Sequence, residues 1–214
     1  MKDNKLYSSA HKTNGWRKWL ESPQIFNLWQ KVSGAESWKR RIIKEYAKPF
    51  ANSRILDVGC GTGSLLNHMD ENLKVNFVGC DINADYIDYA KNKYKDKGAF
   101  YCCGADDLPS NENDFDIIFA ISIFHHLDET TSNSLFKSLK EKLKKGGIFL
   151  MSDPVWSDNH SRFKKYLMKK DRGQNIRTEK EYLRLAGKEF SEIQSCIVKD
   201  SHFIPWTVNV IICK

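Results

Sequence analysis

Three glycines at alternate positions, Gly59, Gly61 and Gly63, follow the apolar run Arg54-Ile-Leu-Asp-Val58, with the carboxylate of Asp57 just ahead of them. Glycine takes positive φ without strain and lets a ligand lie against main-chain N–H groups with no Cβ in between. An acid beside such a turn suits a cationic or amine-bearing ligand better than a pyrophosphate. A second carboxylate, Asp81, closes the next apolar run, Val75–Cys80. An acid at the end of a second strand, about 20 residues past a glycine turn, is placed to accept hydrogen bonds from ribose hydroxyls. Asp81 or Asn83 also suits the N-cap of a helix starting near Ala84, and the two roles are compatible. Further on, Ser122, Ile123, His125 and His126 close the apolar run 115–121, at the carboxyl edge where open α/β sheets bind ligands. Imidazole titrates near neutrality, so His126, then His125, with Asp153 and His160, are the candidate general bases. Each histidine alone equally suits packing or capping.

Spacing narrows the ligand. A dinucleotide fingerprint needs glycine at position 64, where Ser64 stands, and a P-loop needs a lysine that does not follow. Asp-Val-Gly-Cys-Gly-Thr-Gly (57–63) resembles motif I of the class I S-adenosylmethionine methyltransferases. Four further matches follow in order: Asp81-Ile82, Gly104-Ala-Asp-Asp-Leu-Pro109, Asp116 through His125-His126-Leu127, and Leu143-Lys-Lys-Gly-Gly-Ile-Phe-Leu-Met-Ser152. The resemblance implies S-adenosylmethionine as cofactor, held by Asp57, Gly59, Cys60, Gly61, Gly63, Asp81, Ile82, Ala105, Asp106 and Ser122. In the third match the register departs. Counting back from Leu108-Pro109 puts Gly104 where the family has its adenine-binding aspartate, so either Asp106 or the backbone around Ala105 takes that part. The end of the fourth strand lacks the Asn-Pro-Pro-Tyr signature that grips a flipped base. A looser second resemblance, around Asp171-Arg172-Gly173 and Arg177-Thr178-x-x-x-Tyr182, is to methyltransferases of bacterial surface-polysaccharide clusters. It implies a sugar or nucleotide-linked sugar hydroxyl as acceptor.

These residues require a scaffold. From 54 onward the pattern alternates: strand 54–58, helix 63–70, strand 75–80, helix 84–95, strand 99–103, strand 115–121, helix 129–144, strand 147–152. Alternation of this kind means a parallel sheet covered by helices. The expected fold is a three-layer Rossmann-like methyltransferase sheet, mostly parallel, with an antiparallel C-terminal strand and a helical N-terminal cap. Residues 1–214 are read as a single domain: cap 1–50, cofactor core 51–152, acceptor-shaping segment and last two strands 153–214. In the cap, Trp16–Glu21, Gln24–Val32 and Ala35–Tyr46 read as helices, with Trp38, Ile42 and Tyr46 on one buried stripe. Trp16, Trp19, Phe26, Trp29 and Trp38 suit either an acceptor pocket or core packing. Tyr7 and His11 either lie over the cofactor or belong to a frayed terminus. Leu143–Gly147 reads as a helix end closed by glycine. Ser161–Lys170 reads as a basic helix, Thr178–Glu181 as a capping box, and 193–200 with 207–214 as a hairpin turning at Pro205-Trp206.

The chain has 214 residues, an apolar fraction of 41% and a formal net charge of +7. Residues 1–50 carry 11 Lys/Arg against 4 Asp/Glu, 51–150 carry 11 against 15, and 151–214 carry 12 against 8. The basic excess flanks an acidic core, consistent with an anionic acceptor or with a solvated lysine-rich surface. Six cysteines without a C-x-x-C pair read as reduced, buried thiols, and no metal site is expected. No apolar leader or long apolar run appears, so a cytoplasmic chain with no membrane span is expected. Oligomeric state is open. Arg162, Lys164, Lys165, Lys169, Lys170, Arg172 and Arg177 also suit a nucleic-acid backbone. An RNA- or DNA-modifying methyltransferase is thus the second reading, and a binding module that has lost turnover the third.

Overall fold

Ile55, Leu56 and Val58 are buried in β1 (Arg54–Val58) because helices cover both faces of the strand. β2 (Asn76–Asp81), β3 (Ala99–Cys102) and β4 (Phe115–Ile121) run parallel to it, and β4 is buried over most of its length. β5 (Leu143–Trp156) continues the parallel set, while β7 (Ile193–Val198) and β8 (Val208–Cys213) form an antiparallel hairpin. The sheet order is β3-β2-β1-β4-β5-β8-β7, so the reversed strand β8 lies between β5 and β7. A two-residue strand β6 (Arg177–Thr178) pairs with the end of β5. The computed structural model describes residues 22–157, 160–169, 175–199, 201 and 206–214. The expectations for Tyr7, His11, Trp16, Trp19, Lys170, Asp171–Gly173 and Pro205 fall outside them, as do those for the side chains of Lys164 and Lys169.

Two apolar clusters fill the layers. On one side Leu56, Val58, Ile118, Ala120, Phe149 and Met151 pack with Leu135, Phe136 and Leu139 of α4 (Glu129–Lys142) and Tyr182 and Leu185 of α6 (Glu179–Ala186). On the other, Ile55, Phe77, Ile117, Phe119 and Leu150 pack with Ile87 and Ala90 of α3 (Ala84–Tyr94) and Trp38 of α2 (Ala35–Arg41). Helix α1 (Pro23–Ser33) precedes α2, and Gly34 in the left-handed region turns one into the other. α5 (Arg162–Lys169) lies where a basic helix is expected. The capping box forms as read: the Thr178 side chain accepts from the Glu181 N–H, and Glu181 reaches back to the Thr178 N–H.

Some boundaries differ from the sequence expectation. Residues 64–68 form a 3₁₀ turn rather than an α-helix across 63–70, since Asn67, His68 and Asp70 are poor helix formers and short pieces favour the tighter turn. The Ala35–Tyr46 helix divides into α2 and a wider π-type turn, Ile42–Ala47. α4 ends at Lys142, and Leu143 is already extended opposite Phe115, so the glycine pair lies inside β5 and not at a helix cap. Gly147 is there for close approach: a Cβ would stand 2.8 Å from the Phe115 carbonyl oxygen. Of the cysteines, Cys60, Cys80 and Cys213 are buried, but Cys102 and Cys196 are exposed, because they lie on β3 and β7, the two edge strands of the sheet. Trp38 is a core residue, its indole N–H donating to Ser152 Oγ at 3.0 Å.

Candidate functional site

The glycine loop and the second acid are directly joined. Gly59, Gly61 and Gly63 have φ of +65°, +54° and +73°. The Gly61 N–H donates to Asp81 Oδ2 at 2.9 Å, and the Asn83 N–H donates to Asp81 Oδ1 at 2.9 Å. Asp81 therefore fixes the loop against the end of β2, while Asn83, whose side chain accepts from the Tyr86 N–H, caps α3. The Cys60 N–H completes the join on the Cys80 carbonyl at 3.0 Å. The glycines divide the work. A Cβ on Gly63 would meet Phe100 at 2.8 Å and Tyr94 at 3.0 Å, so that position serves packing. Gly59 and Gly61 instead face Ile123 and Phe26, side chains that roof the loop. Phe26 stacks on Tyr86 with ring centres 4.7 Å apart.

Asp57 is buried beneath this loop. Burial pushes its carboxyl up to about 7; Lys39 opposes the rise and the charge of Asp81 adds to it. The thiols of Cys60 and Cys80 are pushed up by the same burial and stay protonated. Ala105 is buried and Asp106 exposed on a 3₁₀ turn after β3. Ile82 is partly buried. Ser122 is exposed and in the left-handed region at φ +60°, its N–H held by the Ser152 carbonyl. A strained non-glycine residue at a strand's carboxyl end is where functional sites store backbone strain.

A polar network unforeseen from sequence ties the cap to the loop. Asn27 Oδ1 accepts from Thr62 Oγ1 at 2.6 Å. Ser64 Oγ lies 2.8 Å from Glu36 Oε1 and 3.1 Å from Gln30 Oε1. Lys39 Nζ donates to Gln30, Ser64 and Glu36, and His68 Nε2 lies 2.9 Å from Glu36 Oε2. Burial alone would raise Glu36, but the bonds from His68, Lys39 and Ser64 hold its carboxyl down to about 2.

At the end of β4 the two histidines separate in environment. His125 is buried, and Asp153 Oδ1 accepts from its backbone N–H at 3.0 Å and lies 2.6 Å from its Nδ1. His126 is half-buried, its ring 4.0 Å from that of His125. Asp153 is fully buried, with Oδ2 lacking a hydrogen-bond partner among the described residues. Burial and the Asp153 charge push the Tyr182 hydroxyl up. Arg177 clamps the turn, donating to the carbonyls of Phe124 at 2.8 Å and Leu127 at 2.7 Å, and the Asn175 N–H takes the His125 carbonyl at 2.9 Å. Its guanidinium is thus engaged by main chain, not left facing solvent for a phosphate. His160 stands against Trp156, ring centres 6.5 Å apart. Among the described residues no three metal-ligating side chains group together, and no helix is long and apolar enough to cross a membrane.

Residues 55–147, from β1 into β5, match the sequence model of the methyltransferase domain family. The fold is that of the class I, Rossmann-like methyltransferases. Curated relatives align with this chain, among them a lipid-modifying and a phosphoethanolamine-modifying protein. Cyclopropane-fatty-acyl-phospholipid synthase of Escherichia coli K12 is 29% identical over 126 residues, 56% of this chain and 31% of the relative. Phosphoethanolamine N-methyltransferase 1 of Arabidopsis thaliana is 28% identical over 156 residues, 71% of this chain and 30% of the relative. The chain therefore spans about a third of the length of these relatives. A solved structure of Haemonchus contortus phosphoethanolamine N-methyltransferase 2, with phosphomonomethylethanolamine and S-adenosylhomocysteine, superposes with a TM-score of 0.72. It is 17% identical, and the match covers 94% of this chain and 60% of that one. The cofactor of the class is S-adenosylmethionine. The methyltransferase domain fits it by donor chemistry: a buried acid with raised proton affinity under a glycine loop accommodates an ammonium, and a carboxylate at the strand end accommodates a diol.

Proposed function

We propose that this chain transfers a methyl group from S-adenosylmethionine to a small anionic acceptor at the carboxyl edge of β1, β2, β4 and β5. The observation that carries the reading is the bond from the Gly61 N–H to Asp81, which brings the glycine loop and the second acid into one site. Bound there, the cofactor supplies a methyl group on a sulfonium, an activated electrophile. Asp57 holds the cofactor's ammonium, the N–H groups of the loop lie against its amino-acid end, and Asp81 takes the ribose hydroxyls. Ile82 packs the adenine, with Asp106 and the backbone of Ala105 at its amino edge, and Ser122 borders the reacting end. The remaining task is alignment, which can supply on the order of 7–11 kcal/mol of barrier reduction when the geometry is right.

A base is required only if the acceptor is a hydroxyl or carbon acid. His126 takes that part, with His125 fixed beside it by Asp153. The acceptor class is a phosphate-bearing small molecule, either a nucleotide-linked sugar or a phospho-base. Support comes from the basic flanks of the chain and from the phosphate-bearing substrates named for the Arabidopsis and Haemonchus proteins.

Calorimetry with S-adenosylmethionine and S-adenosylhomocysteine tests the cofactor half: binding of both is expected, and binding of neither makes the chain a scaffold. Product mass spectrometry with methyl-labelled cofactor, across nucleotide-sugars, phosphoethanolamine, tRNA and DNA oligonucleotides, tests the acceptor half. Label in nucleic acid but in no small molecule refutes it.

A further inference from the structure

Helix α1 is built the opposite way from an ordinary surface helix. Such a helix turns its apolar stripe to the core and its polar face to water. In α1 the inward residues include Asn27, Gln30 and Ser33, bonded into the network over the glycine loop or back onto the helix itself. The outward residues are Ile25, Leu28, Trp29 and Val32, at i, i+3, i+4 and i+7, with exposures of 38%, 61%, 40% and 62%. Polar pairing on the inside leaves this stripe without a role in holding the cap down. The same segment carries exposed cations at Lys31, Arg40, Arg41, Lys44 and Lys48, with Glu45 as its one exposed acid among the described residues, paired to Arg41.

We propose that the outer face of α1 docks on an anionic phospholipid surface. An apolar stripe containing tryptophan in one segment with exposed lysine and arginine is the composition of a helix lying in the membrane interface, and its binding combines apolar burial with attraction to anionic headgroups. A second copy of the chain fits the patch less well. The 11 residues of α1 span roughly 16 Å and, at a helix width of roughly 10 Å, present a face of roughly 160 Å², far short of the roughly 800 Å² per partner that a stable interface needs. Two such cationic faces also repel one another. The helix touches the cofactor loop through Asn27 and Phe26, so a surface-bound α1 would set the mouth of the site against the bilayer interface.

The test uses the full chain with 100 nm vesicles of phosphatidylcholine alone and of phosphatidylcholine with one-third phosphatidylglycerol, read by co-sedimentation. Binding to the anionic vesicles is expected, falling steeply with salt and at least tenfold weaker for Leu28→Glu/Val32→Glu. Arg40→Glu and Lys44→Glu should each cost about fivefold, the equivalent of roughly 1 kcal/mol per surface cation. Calorimetry with S-adenosylhomocysteine shows that each variant keeps its cofactor site, so a failure here stays separate from failure of the methyltransferase reading. Absence of binding to either vesicle overturns the proposal, as does equal binding by the stripe variants. A dimer in light scattering that Leu28→Glu dissociates would make the stripe a self-interface and overturn it too. Protection of Leu28 and Val32 from carbene footprinting in the lipid-free monomer would do the same, showing the face already covered.

Discussion

If Asp57 holds the cofactor's ammonium as proposed, its raised proton affinity should make binding pH-dependent in a direction and by an amount the site dictates. In the free protein the carboxyl titrates at about 7, because burial disfavours its charge. A cofactor ammonium beside it reverses that balance and requires the ionised form, so binding releases a proton wherever the free carboxyl is still protonated. With a free-state value of about 7, the ionised fraction is about 3% at pH 5.5 and about half at pH 7, a difference of about fifteenfold or ~1.6 kcal/mol in affinity. An α-amino group remains largely charged across this window, so the protein sets the trend.

Titration calorimetry with S-adenosylhomocysteine at the two pH values, in buffers of unlike ionisation enthalpy, reads both the affinity change and the released proton. Asp57→Asn should bind weakly and lose the dependence. The folding sign is also defined. A carboxyl raised in the folded state makes unfolding easier as pH climbs from about 4 to 7, where the unfolded chain ionises first. Asp57→Asn should therefore be the more stable protein above pH 7 while binding cofactor worse. Equal affinity for the parent at pH 5.5 and 7, or a dependence that survives in Asp57→Asn, would refute the assignment of this acid to the ammonium.

Other outcomes follow from the same geometry. Asp81→Asn should weaken cofactor binding by about 1.5–3 kcal/mol, the range for hydrogen bonds to a charged group, measured by calorimetry. Gly63→Ala should lower the urea midpoint without a selective loss of affinity, since the added Cβ meets Tyr94 and Phe100 and the left-handed backbone costs about 1–2 kcal/mol. Arg177→Ala strips donors from the carbonyls of Phe124 and Leu127 and should cost about 2–3 kcal/mol of stability by denaturant titration. Thr178→Ala removes the capping box of α6 and should cost about 1 kcal/mol in the same assay.

What sequence disclosed here was local. The strand, glycine turn and second acid were legible because each signal sits within a few residues, and the capping box at Thr178 because its two partners are three apart. The cap network was not, since Lys39 meets Ser64 across 25 residues and Gln30 meets Ser64 across 34. Nothing about an isolated glutamine or lysine announces such a partner. In sequence Arg177 suits a nucleic-acid backbone, because its carbonyl acceptors lie 50 and 53 residues away and main-chain acceptors leave no trace in residue type. The glycine pair at 146–147 misled for a related reason. Glycine signals permissive backbone, and the close approach of Gly147 to the Phe115 carbonyl is a property of two strands together.

The placement of β8 between β5 and β7 carries a consequence for biogenesis. During synthesis the sheet would wait with one flank of β5 bare until residues 208–213 emerge, so the hydrogen bonds of Phe149 through Pro154 to that strand form only after the parallel strands are in place. Nascent chains halted before Val208 should recruit chaperones and resist compaction, whereas release of the remaining strand should close the gap in a single step.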